Sequence, residues 1–125
     1  MPVERPLAGD ALRFSLTEEA QRAADPDTLR RTGRSARTLL KDGPLRVTLI
    51  VLAAGGGIPE HHTEGHVTVQ VLRGDLRIRF DGTDYDLAPG DLLAIGGGVP
   101  HSVASQNGAE MLLTVGLEPP QRKDA

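Results

Sequence analysis

The chain has 125 residues, a formal net charge of −3, no cysteine and no tryptophan, with 15 glycines and 9 prolines. One domain can enclose a core at this length. The absence of cysteine excludes a disulfide framework and any thiolate site, and it fits a reducing cytoplasm. The opening MPVERPLAGD has no apolar stretch followed by a small-residue cleavage pattern, so no signal peptide is expected. The longest apolar run, Val47 to Ala54, is too short to cross a membrane as a helix. Residues 1–41 carry a local balance of +2 and residues 42–125 one of −5. An acidic body with one tyrosine and two phenylalanines lacks the charge footprint and the stacking platforms of a nucleic-acid binder. The basic cluster Arg30, Arg31, Arg34, Arg37 and Lys41 reads as a solvated face.

Residues 1–34 read as an arm with one or two short helices. Thr17 followed by Glu18 and Glu19 predicts a helix start, a hydroxyl cap with acids facing the positive dipole end. Asp25-Pro26 stops that helix near Ala24 and opens a second short turn, which Gly33 ends.

From Ser35 onward the hydrophobic period changes to two. Leu45, Val47, Leu49 and Val51 alternate with Arg46 and Thr48, and the apolar Ile50 and Leu52 predict that the second face is covered by the arm or by a partner subunit. Val67, Val69 and Val71 alternate with Thr68 and Gln70. Leu76, Ile78 and Phe80 alternate with Asp75, Arg77 and Arg79, then turn at Asp81-Gly82, the dipeptide of a two-residue type I′ hairpin. Thr83, Tyr85 and Leu87 form the return strand. Ala88-Pro89-Gly90-Asp91 is a further turn, followed by strands over 92–95, 99–104 and 111–117. About eight strands with frequent turns predict an all-β sandwich, jelly roll or small barrel over residues 35–118, with a loose tail at 119–125. The triple glycines at 55–57 and 96–98 lie between strands and read as turn residues, not phosphate loops.

All four histidines lie in the β-rich part. His61, His62 and His66 fall within Gly57-Ile58-Pro59-Glu60-His61-His62-Thr63-Glu64-Gly65-His66, and His101 closes Gly90-Asp91-Leu92-Leu93-Ala94-Ile95-Gly96-Gly97-Gly98-Val99-Pro100-His101. These two stretches resemble the paired motifs of the cupin superfamily, in its small single-domain RmlC-like type. Gly90, Gly98 and His101 fall on the second motif, with Gly96 in place of its proline and Ser105 in place of its asparagine. Gly74 closes the first motif. Counting back from it, Val67 takes the place of the motif's acid. The two histidine positions fall on Glu60 and His62 with one spacing, or on His61 and Thr63 with the other.

The resemblance implies a cupin jelly-roll β-barrel (a double-stranded β-helix) with the short helical arm in front, and a histidine-lined central pocket for a small-molecule ligand. It also implies one divalent first-row metal (Fe, Mn, Ni, Cu or Zn) held by imidazole and carboxylate on the barrel's inner wall. The metal set expected here is His62, His66 and His101, with Glu60 or His61 as an additional ligand and Val67, Val69 and Val71 lining the pocket. His66 stands one residue past the acid position, so a β-bulge near Gly65-His66 is required to turn it inward. His61 and His62 are neighbours on an extended segment and point to opposite sides, so one of them is expected to face the pocket. His101 is the histidine whose motif fits best.

No catalytic residue is singled out. A metal-bearing barrel of this kind is compatible with dioxygenase, isomerase or decarboxylase chemistry; without metal, the barrel becomes a small-molecule binding or sensor module, or His101 works alone as an acid–base group. A cytoplasmic homodimer, with no nucleic-acid or membrane partner, completes the expectation.

Overall fold

The computed structural model describes residues 11–117. The start of the arm at 1–10 and the tail expected at 119–125 lie outside the described residues. Two short helices, α1 (Leu16–Ala23) and α2 (Pro26–Thr32), precede nine strands: β1 (Arg34–Asp42), β2 (Leu45–Leu52), β3 (Gly57–His61), β4 (His66–Gly74), β5 (Leu76–Phe80), β6 (Thr83–Leu87), β7 (Leu92–Ile95), β8 (His101–Ala104) and β9 (Ala109–Gly116). They form two antiparallel sheets packed as a jelly roll, one in the order β1-β2-β9-β4-β7 and the other β3-β8-β5-β6.

The helix ends follow local chemistry. α1 is capped by Ser15, whose hydroxyl accepts from the Glu18 amide at 3.4 Å, two residues ahead of the expected Thr17 cap. Asp25 caps α2 by accepting from the Asp27 amide and the Thr28 hydroxyl, Pro26 takes the first turn, and Gly33 ends the helix in the left-handed conformation (φ 78°). The Asp81-Gly82 hairpin has positive φ at both residues (50° and 77°), as a type I′ turn requires.

Two apolar clusters hold the molecule together. Between the sheets lie Ile50, Leu52, Val67, Val69, Val71, Leu76, Ile78, Ile95, Val103, Met111 and Val115. On the outer face of the five-stranded sheet, Leu39, Leu49 and Val51 pack against Ala20 and Ala23 of α1. The faces of β2 are therefore the reverse of the sequence expectation. Ile50 and Leu52 point into the sandwich, and Leu49 and Val51 point out to the arm. Both faces are apolar, so periodicity alone cannot say which is inner. The reversal also removes Ile50 and Leu52 as a surface for a partner subunit.

A buried charge locks the arm in place. Glu19 is 4% exposed, and its carboxylate accepts from Arg37 of β1 at 2.7 Å and from Arg22 at 3.0 Å. Such a buried acid is tolerated because both partners are cations with hydrogen bonds to it. The rest of the basic cluster is engaged too: Arg30 and Arg31 pair with Asp27, and Arg34 donates to the Gly57 carbonyl.

If β2 is buried on both faces, Leu49→Ala and Ile50→Ala should each destabilise the protein by about 2–5 kcal/mol in urea denaturation. A loss below about 1 kcal/mol at either position would contradict the two-cluster packing.

Candidate functional site

The site begins with β8. Gly98, at φ 82°, turns the chain through Val99-Pro100 into His101. Along β8, His101 and Val103 are buried and alternate with the less buried Ser102 and Ala104, so His101 faces the interior. In the β5 ladder His101 stands opposite Phe80, and Val103 opposite Ile78. Opposed residues share a face, so Phe80 flanks His101 from one side.

β3 flanks it from the other, through a bulge. Gly57 and Ile58 pair with Ala104 and Val103, but the next pairing is His61 with His101. Three steps on β3 match two on β8, so one extra residue is accommodated over Pro59-Glu60. In a regular ladder Glu60 would oppose His101 and His61 would point outward. The bulge reverses that parity and turns His61 toward His101, although His61 itself stays exposed. Pro59 suits this place because it has no N–H to give to the ladder. The His61 and His101 rings meet edge to face, with centroids 4.4 Å apart.

Both rings are pinned in the same manner. His61 Nδ1 lies 2.9 Å from the Pro59 carbonyl oxygen, and His101 Nδ1 lies 3.2 Å from that of Val99. A carbonyl oxygen only accepts, so each Nδ1 carries the proton and donates. In the neutral form of each ring the lone pair is therefore on Nε2. The His101 pKa is pushed below its ordinary value of 6.5, mainly because burial disfavours the cation. The hydrogen bond to Val99 works against that shift, while the nearby His61 and His62 add to it. At neutral pH His101 is therefore an uncharged acceptor.

The other expected ligands lie elsewhere. His62 follows the end of β3 and is exposed. His66 is the exposed first residue of β4, where the ladder is regular: His66 pairs with Gly116, and Val67 with Val115 and Ile95. Val67 is buried in the inter-sheet cluster, so His66 stands on the opposite face of the sheet. The bulge that His66 would need near Gly65-His66 to turn inward is absent from this regular ladder. Gly65 instead adopts φ 103°, and a side chain there would meet the Gly116 carbonyl oxygen at 2.5 Å. The irregularity in β4 comes later, between Val71 and Arg73. Val67, Val69 and Val71 are 2%, 3% and 0% exposed, packed among the apolar core. Glu60 is exposed within the bulge. Among the described residues, no three His, Asp or Glu side chains form a group able to hold a metal ion.

A groove of about 600 Å³ opens at the other end of β5 and β8, lined by Asp75, Leu76, Arg77, Asp86, Ser105 and Asn107 among others, with no histidine. Phe80 as the neighbour of His101 was not singled out in the sequence; its cross-strand position follows only from the β5–β8 register. Pro59 inside a strand was the available signal for the bulge.

A family profile described as a cupin domain matches residues 48–115. No curated protein matches the chain. Among solved structures, a conserved protein of unknown function from Streptococcus pyogenes is 26% identical with a TM-score of 0.72, over 88% of this chain and 90% of that one. A cupin superfamily protein from Desulfitobacterium hafniense is 24% identical with a TM-score of 0.66, over 68% and 78%. The salicylate 1,2-dioxygenase of Pseudaminobacter salicylatoxidans is 20% identical with a TM-score of 0.71, over 79% of this chain but 33% of its own. The last two likenesses are of fold.

A depressed histidine pKa has a defined effect on stability. The unfolded chain takes up a proton on His101 as pH falls through 6.5, and the folded chain does so only at lower pH. Stability is thus fully present above that value and declines below it. The urea midpoint should fall between about pH 7 and about pH 5.5, and His101→Gln should flatten part of that slope. An unchanged slope in His101→Gln would contradict the buried, neutral His101.

Proposed function

The chain belongs to the cupin family, and we propose that it uses the His61–His101 pair at one end of its barrel to bind a small molecule by hydrogen bonding, without a complete set of metal ligands. The observation that carries this reading is the pinning of both Nδ1 atoms to backbone carbonyls, which leaves two Nε2 lone pairs in adjacent rings. Two such acceptors suit a ligand that presents an O–H donor, such as a phenol, an enol or a protonated acid. Phe80 beside His101 and the apolar cluster beneath favour a compact, largely apolar body behind that donor.

A metal-bearing reading draws on the same pinning, because a metal-ligating histidine commonly donates its other ring N–H to a backbone carbonyl. The donor set falls short of it. Of the four positions of the cupin motif in the register that this bulge sets, His61 and His101 keep imidazoles, while Thr63 and Val67 replace the other two ligands. Catalytic first-row sites generally use three protein ligands. In that reading, His61 and His101 would hold a divalent ion such as Fe, Mn, Ni, Cu or Zn, which would supply Lewis acidity, and the exposed His62 would be the nearest further donor in sequence.

Two measurements on untagged protein separate the readings. Elemental mass spectrometry after incubation with divalent metals should find less than about a tenth of an equivalent, and phenol titrated into the apo protein should shift the ring signals of His61 and His101. Near-stoichiometric metal that disappears in His101→Ala would favour the metal-bearing site instead. A phenol titration that leaves both rings unmoved would count against the hydrogen-bonding reading.

The setting we propose is a cytoplasmic homodimer. No helix among the described residues is long and apolar enough to cross a membrane. Leu92, 61% exposed on the outer side of β7, is the apolar side chain that a second subunit would cover. A monomeric mass by light scattering at micromolar concentration would contradict the dimer.

A further inference from the structure

The helical arm reaches the histidine site through one seam. The Gly33 carbonyl, at the end of α2, accepts from the Ala53 amide at 2.9 Å. The same oxygen lies so close to Gly56 that a side chain there would meet it at 2.2 Å. One residue further along each segment, the Arg34 guanidinium donates to the Gly57 carbonyl at 3.2 Å. Gly57 is the first residue of β3, and a side chain on it would meet the Val103 carbonyl oxygen at 2.4 Å. The start of β3 is thus gripped between the arm on one side and β8 on the other.

β3 depends on this grip. It is an edge strand of its sheet, with β8 as its sole ladder partner among the described residues. Its pairing is broken by the Pro59-Glu60 bulge just before His61. A short edge strand interrupted by a bulge has few backbone hydrogen bonds to fix its register, so contacts at its other end weigh more.

We infer that Arg34 and the Gly33–Gly56 contact are positioning elements for His61: they hold the start of β3 in place so that the bulge delivers the His61 ring against His101. Arg34 touches neither histidine and acts only through the strand. The inference assigns a role to one member of the basic cluster that the sequence left as a solvated face. Its functional meaning rests on the reading of His61 and His101 as the ligand site, but its test uses no ligand and stands if that reading fails.

The test is proton NMR of the histidine rings at neutral pH in Arg34→Ala, Arg34→Lys and Gly56→Ala, with the urea midpoint measured alongside. Arg34→Ala should move or broaden the His61 ring signals and weaken their cross-relaxation with His101, while the ring of His66, on the outer face of the other sheet, keeps its position. Arg34→Lys should restore the parent His61 signals, because an ammonium group can donate to the same carbonyl. Gly56→Ala should displace His61 further than Arg34→Ala does; if it does not fold, Arg34→Ala decides alone. His61 signals in Arg34→Ala that coincide with the parent's would overturn the inference. So would an equal displacement of His66, which would mean general loosening.

Discussion

The candidate site depends on one extra residue in an edge strand. Without the bulge over Pro59-Glu60, an exposed carboxylate would oppose His101 and His61 would point away from it. With it, the exposed His61 ring meets the buried His101 ring at 4.4 Å, each fixed by a backbone carbonyl two residues before it. The strand's parity is thus converted directly into chemistry. A pair of imidazoles results in place of an acid–histidine pair. Burial of His101 keeps its ring uncharged at neutral pH, and the proximity of His61 reinforces this.

Much of the fold was legible because it rests on local rules. Asp25-Pro26 and Gly33 bound α2 as expected, and Asp81-Gly82 makes its hairpin with the required positive φ values. Val67, Val69, Val71, Leu76 and Ile78 all lie on the inner faces that their alternation predicts. Where a strand is apolar on both sides, as β2 is, alternation loses its sign, and only the arm's packing on Leu49 and Val51 decides it. The site was harder to read for a related reason. A bulge is a one-residue event, and glycine merely permits one. Gly65 drew attention because it is flexible, yet its positive φ serves a close backbone approach to Gly116 and leaves the ladder regular. The actual irregularity falls at a proline, where the missing N–H makes loss of pairing inexpensive.

Family and site give separate information here. The cupin architecture is shown along with the strand order, and His101 occupies the interior-facing place that the second motif implies. The first motif contributes less. Val67 sits where the motif has its acid, and it is absorbed into the core with Val115 and Ile95 as its neighbours across the ladders. In the proposed reading, recognition of the ligand would fall to the two Nε2 acceptors. The arm, the third component, is joined to the barrel by a buried carboxylate between two arginines and by a glycine seam at the start of β3. The Arg34–Gly57 contact thus meets the same short strand that carries His61.

The most direct test is cross-relaxation between histidine ring protons in the ligand-free protein at neutral pH. Rings with centroids 4.4 Å apart should give a strong cross-peak between His61 and His101, with the proton on Nδ1 in both rings. A cross-peak from His101 to His62 or His66 in its place would contradict the bulged register on which the site is built, and a proton on Nε2 of His101 would contradict its bond to the Val99 carbonyl.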